Sequence, residues 1–113
     1  MPQIRDEKLA QTSTNAFVSI LKMKVYGRRQ ITAVISNSHA TNVIVYRVMV
    51  SNDEEGAANT WAIDKTDTDV VANNVTLERH VVTGAFVWVD VQIKSKVADT
   101  AGTGNCWAYA VGL

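Results

Sequence analysis

An antiparallel β-sandwich or jelly roll of about seven or eight strands is the fold this sequence predicts, on three observations. First, Val is the commonest residue and Thr is abundant; β-branched side chains pack well on a pleated surface and are mildly disfavoured in helices. Second, apolar residues recur with period two, and helical spacing is found only over residues 4–10, one short turn. Third, clusters of Gly, Asn, Asp and Ser punctuate these runs, while Pro occurs once, at Pro2.

Residues 1–15 are polar and show no periodic face, so they divide off as an extended N-terminal arm from a single sandwich domain, residues 16–113. Such a segment is either a frayed terminus or an arm that orders on a neighbouring subunit. In residues 20–26, Leu21, Met23 and Val25 point one way and Lys22 and Lys24 the other, until Gly27 breaks the run. A strand over 29–36 follows, and Asn37, Ser38, His39 and Ala40 read as a turn. Residues 42–51 are apolar on both faces, Val43, Val45 and Met49 against Ile44, Tyr46, Val48 and Val50. Burial on both sides marks a central strand, or one covered by a neighbour.

Residues 51–60 form the clearest loop, 61–64 a short strand and 65–69 a polar stretch. One or two strands fall in 70–82, around Asn73 and Asn74, and Gly84 marks a tight turn. The most regular alternation covers 86–97, with Val87, Val89, Val91, Ile93 and Val97 opposite Phe86, Trp88, Asp90, Gln92, Lys94 and Lys96. A glycine-containing loop, 99–105, leads to a closing strand, 106–111.

Composition narrows the function. A chain of 113 residues fits one domain, and a 47% hydrophobic content supplies one core. Charged residues are 19%, below the roughly 25% usual for soluble domains, which leaves neutral surface to meet partners. Eleven basic residues balance eleven acidic ones, so the basic excess of a nucleic-acid binder is missing. The cluster Lys22, Lys24, Arg28, Arg29 reads as a solvated strand edge and turn. No window approaches about 18 continuous apolar residues, and the first ten lack a signal peptide's apolar segment. Cys106 is the only cysteine, which rules out an intrachain disulfide. The expectation is synthesis in a reducing cytoplasm, with neither membrane nor nucleic acid as partner.

No catalytic constellation stands out. His39 lies in the predicted turn and His80 near a strand end, neither in a nucleophile motif. Cys106, beside Trp107, reads as a buried structural thiol. Asp64, Asp67 and Asp69 cluster as oxygen ligands for calcium do, yet the run lacks the glycine and distal glutamate of an EF-hand loop. The reading is a non-enzymatic chain with no cofactor and no metal site. Phe86 and Trp88 share an otherwise polar face, as an interface or a sugar platform would, or as side chains beneath a loop would. Trp61 and Trp88 are the stacking residues of a carbohydrate-binding alternative.

Residues 48–63, Val-Met-Val-Ser-Asn-Asp-Glu-Glu-Gly-Ala-Ala-Asn-Thr-Trp-Ala-Ile, resemble a pattern in small β-sandwich virion proteins of tailed bacteriophages. In those proteins a strand ending in Ser-Asn-Asp leads through a Gly/Asn turn to a Trp-containing strand. Residues 86–112 are similar to their ending, a Val-alternating strand, a Gly/Thr/Ala loop and a short closing strand. The resemblance implies a capsid decoration (cement) protein in the virion, made in the host cytoplasm, or a neck or tail component. It implies the major capsid protein or other virion proteins as partners, and a homo-oligomer, with a trimer favoured. The expected contact surfaces are the arm, with Ile4 and Leu9, and the face holding Phe86 and Trp88.

Overall fold

A computed structural model describes residues 4–26, 30–84 and 86–111. Among them lie eight strands: β1 (Ile4–Thr12), β2 (Val18–Lys24), β3 (Gln30–Asn37), β4 (Ile44–Ser51), β5 (Trp61–Val70), β6 (Glu78–Thr83), β7 (Trp88–Ser95) and β8 (Thr103–Val111). They form two four-stranded sheets, ordered β1-β8-β3-β6 and β2-β7-β4-β5. Every ladder is antiparallel, and the pairs β1 with β8, β2 with β7, β3 with β6 and β4 with β5 nest inside one another. The chain is thus one long hairpin wound up, tip at β4–β5, with every other connection crossing between sheets. That winding is the jelly roll.

The inner faces follow the alternation read from the sequence. Ile44, Tyr46, Val48 and Val50 of β4 are buried with Val89, Val91 and Ile93 of β7, and β4 is central, between β7 and β5. From β2 come Leu21 and Met23, joined by Ile20, where a register shift between Ser19 and Leu21 lets two successive residues face inward. Opposite them, β3 presents Ile31, Ala33 and Ile35, and β8 presents Gly104, Cys106, Ala108 and Ala110. Small residues on β8 make room for large ones across the core. A Cβ on Gly104 would lie 2.7 Å from Ile93 Cδ1 and 3.2 Å from Ile20 Cδ1, so the glycine admits both isoleucines.

Several expectations need correction. Residues 4–12, set apart as an arm, are an edge strand laid along β8; their charges hid a strand whose partner supplies the pairing. Residues 61–70 form one strand, because backbone pairing with β4 holds the polar stretch that its side chains alone would leave as a turn. Residues 71–77 make a loop with exposed Val71, Val75 and Leu77, and only Glu78–Thr83 is strand. The alternation ends at Ser95, so Val97 sits exposed beyond it.

The sequence places Asn37 in a turn, yet it ends β3 with no exposed surface. Its Nδ2 donates to Asn42 O (2.7 Å) and Val70 O (3.2 Å), and its Oδ1 accepts from His39 N (3.1 Å) and Thr103 N (3.3 Å). Both donor hydrogens and both carbonyl lone pairs are used. One side chain therefore ties the β3–β4 loop to the end of β5 and the start of β8. Substituting Asn37→Ala strands the two buried carbonyls, and urea unfolding should show a loss of about 2–4 kcal/mol. An unchanged midpoint and slope would remove Asn37 from this role.

Candidate interaction surface

The two outward faces of the sandwich differ, and the difference comes from local sequence. On the β2-β7-β4-β5 sheet, the loop after β4 folds back over its own strands. Asp53 Oδ2 accepts from Glu55 N (3.0 Å) and Ala57 N (2.9 Å), and Ser51 Oγ bonds Thr60 Oγ1 at 2.7 Å, closing the loop at its base. Trp61 Nε1 donates to Gly56 O (3.1 Å) and Trp88 Nε1 to Glu54 O (3.2 Å). Gly56 has φ +65, and a Cβ there would lie 3.3 Å from Trp88 Nε1, so glycine suits both backbone and contact. Lys22 Nζ lies 5.2 Å from the Trp61 ring centroid and 5.1 Å from that of Trp88.

Further along that face polar side chains pair with one another, while Ile63 of β5 stands exposed. Asp90, buried, accepts from Ser19 Oγ (2.5 Å) and Gln92 Nε2 (2.8 Å), and Arg47 Nε donates to Gln92 Oε1 (2.6 Å). The Arg47 guanidinium stands 4.0 Å from the centroid of Phe17, which Lys94 also approaches. A chain segment and these polar and cation–ring contacts cover the β2, β7 and β4 part of this surface.

The outer face of the β1-β8-β3-β6 sheet carries no such cover from the described residues. A shallow trough of about 760 Å³ runs across β1, β8 and β3, lined by Arg5, Glu7, Thr32, Val34, Trp107 and Tyr109 among others. The ladders arrange these side chains in two rows. One reads Arg5, Tyr109, Thr32, Val81 and the next Glu7, Trp107, Val34, Arg79. Each row begins with a charge on β1, passes an aromatic on β8 and ends on β6. The Arg5 guanidinium stands 5.2 Å from the Tyr109 centroid, and Trp107 is 39% exposed at the middle of the trough. An apolar floor between charges of both signs offers contact area and orientation.

The residues singled out from sequence do not share a surface. Phe86 packs against the core ahead of β7, and Trp88 is half-buried under the loop of residues 52–60. Ile4 lies opposite Ala110 in the β1–β8 ladder, and Leu9 is exposed near a bulge. Arg28 and Arg29 of the basic cluster lie outside the described residues. Trp107 and Tyr109 fall in a strand and on sequence are most simply core; the alternation of β8 leaves open which side faces inward, and the structure places both on the outer side. The small residues Gly104, Ala108 and Ala110 were the available signal: small inside, aromatic outside.

The remaining candidate groups have structural partners. His39 Nδ1 accepts from Thr41 N (3.1 Å) and Asn42 N (3.0 Å), fixing its loop. His80 Nε2 meets Asp64 Oδ2 at 2.5 Å, joining β6 of one sheet to β5 of the other. Asp69 pairs with Lys96, and among the described residues no three His, Cys, Asp or Glu side chains gather as metal ligands would. Burial, with a smaller contribution from Asp6, pushes the Cys106 thiol up to about 12. At neutral pH it stays a thiol rather than a nucleophilic thiolate. No helix among the described residues is long and apolar enough to cross a membrane.

The fold defines the chain as an eight-stranded jelly-roll protein. No protein-family model and no curated protein sequence matches it. Among solved structures, it is similar to a protein of Bacillus endospore appendages, described as disulfide-linked pili, at 12% identity and TM-score 0.59, over 98% of this chain and 88% of that one. It is similar to VP2 of the infectious bursal disease virus subviral particle at 8% identity and TM-score 0.55, over 98% of this chain and 32% of that one. A segment of tripeptidyl peptidase 2 is also similar, at 7% identity and TM-score 0.57, over 91% of this chain and 9% of the peptidase. At such identities the likeness is one of fold.

The thiol supplies a pH prediction. An unfolded chain releases the Cys106 proton near 9.0, whereas the folded chain holds it to about 12. Ionisation above pH 9 therefore favours the unfolded state, and stability falls as pH rises through this window, by up to about 1.4 kcal/mol per unit. In Cys106→Ala that share of the alkaline slope should vanish in unfolding curves taken from pH 8 to 11. Equal slopes in both proteins would contradict the assignment.

Proposed function

We propose that this chain is a non-enzymatic structural subunit of a bacteriophage virion, a decoration protein that binds across capsid subunits and stabilises the shell. The observation that carries the reading is the inequality of the two outer faces. On one, the chain's own loop covers Trp61 and Trp88 and polar side chains pair among themselves; the other presents Trp107, Tyr109 and Val34 in a trough with charges at its edges. Exposed aromatics amid mixed charge are what a protein contact uses, with burial supplying affinity and rim charges supplying register. The fold likeness to a pilus protein and to a viral particle protein supports an assembling role, as does the sequence resemblance to tailed-phage virion proteins. Self-association, with a trimer as the expected form, and binding to the major capsid protein belong to the same reading. Trp61 and Trp88, the platform of a carbohydrate-binding alternative, have Lys22 beside their rings and a loop bonded to their indole nitrogens.

Two measurements test this. Light scattering across a concentration series reads the solution mass, and co-sedimentation with capsids reads shell binding. Trp107→Glu should keep the native circular dichroism spectrum while lowering capsid binding at least tenfold, since a charge is placed where apolar area must be buried. Wild-type binding in that variant would remove this face from the contact. A strict monomer that ignores both capsids and other virion components would overturn the structural-subunit reading itself.

A further inference from the structure

Over residues 5–12, β1 buries no side chain. Arg5, Asp6, Glu7, Lys8, Leu9 and Ala10 are all exposed. Every other strand sends at least one side chain into the interior, including the other three edge strands: Leu21 and Met23 from β2, Val70 from β5, Val82 from β6. Residues 5–12 are held by the backbone ladder with β8 and a few surface contacts, the Arg5–Tyr109 stacking at 5.2 Å and Ala10 N to Asn105 Oδ1 at 2.8 Å.

The chain changes character directly after it. Ser13 is buried, its Oγ bonds Ser95 Oγ and accepts from Gly102 N, both at 2.8 Å, and its own N–H donates to Gly102 O at 3.0 Å. Between the loose strand and this anchor the ladder slips, from Lys8 to Gln11, and Ala10 adopts φ 57, a left-handed conformation that alanine rarely takes. A strained, unpaired step thus separates a strand held by its backbone from a chain fixed in the core.

From this we infer that β1 is a transferable strand: in an assembly of this protein it leaves its own β8 and pairs with β8 of a second copy. The ladder of residues 4–8 and the Arg5–Tyr109 stacking form equally well within a chain or between two, so residues 5–8 forfeit no buried contact on exchange, and Ala10 gives up its bond to Asn105 as it relaxes. The vacated β8 is an open sheet edge with unpaired backbone groups, and the incoming strand satisfies them. This rests on the reading of the chain as an assembling subunit and names the physical link between copies.

The register provides the test. Lys8 lies directly opposite Cys106, the only cysteine of the chain, and facing residues in an antiparallel ladder lie within disulfide reach. The full-length Lys8→Cys variant, oxidised with a copper–phenanthroline catalyst over a concentration series, should give covalent dimers and longer chains on a non-reducing gel. Their share should rise with concentration. A second variant, Glu7→Cys with Trp107→Cys and Cys106→Ala, places the pair on the exposed face, where oxidant reaches it without entering the core. Intrachain disulfides alone at every concentration, or no disulfide in either variant, would overturn strand exchange. If those same samples still form oligomers by light scattering, assembly stands and proceeds by another surface.

Discussion

The Asn37 side chain is the point on which the two sheets depend at one end of the sandwich. A jelly roll must carry its chain from sheet to sheet at almost every connection, and each crossing leaves backbone groups without a ladder partner. At the crossing from β3 to β4, the carboxamide of Asn37 takes up that need for two neighbouring elements as well as its own loop. Its backbone carbonyl accepts from Asn74 N at 2.8 Å, and so ties in the loop after β5. A buried amide with all four hydrogen bonds made costs little; with one missing, it would be a defect. The loops around it are held by hydrogen bonds, which explains why an end of the molecule with exposed Val75 and Leu77 still has fixed geometry.

From that end the core follows by complementarity of size. The β8 strand offers Gly104, Cys106, Ala108 and Ala110, and the facing sheet offers Ile93, Ile44 and Val91. Small residues inside β8 oblige its large ones, Trp107 and Tyr109, to point outward. The exposed aromatics of the trough are thus a consequence of how the core is filled, and the same alternation that packs the interior builds the candidate contact surface. On the opposite sheet, large residues fill the interior, and a folded-back loop takes care of Trp61 and Trp88.

The fold is compatible with more than one use. It recurs in a pilus protein, a viral particle protein and a segment of a peptidase, so architecture alone does not select among roles. What favours assembly here is local: one face largely covered by its own loop and polar pairs, one left open, and an edge strand whose residues 5–12 bury nothing in the core. Cys106 is kept protonated by burial, and His80 is engaged with Asp64 across the sheets.

By itself the sequence determined the fold class, the strands β2, β3, β4, β7 and β8, the central place of β4 and the loop after it. In β2, β3 and β7 one face is apolar and period-two alternation states which side is inside, whereas β4 is apolar on both faces and β8 leaves its inner side open. It did not determine β1 or the full length of β5, whose charged and polar side chains carry no such signal; their strand character comes from backbone pairing with β8 and β4, contacts between residues far apart in the chain. Nor did it separate Trp107 from Trp88. Both lie in alternating strands, and only the tertiary arrangement decides that a loop covers one while the other stands open. Asn37 shows the same limit, because an asparagine before a Ser-His-Ala run reads as a turn until three distant segments arrive around it.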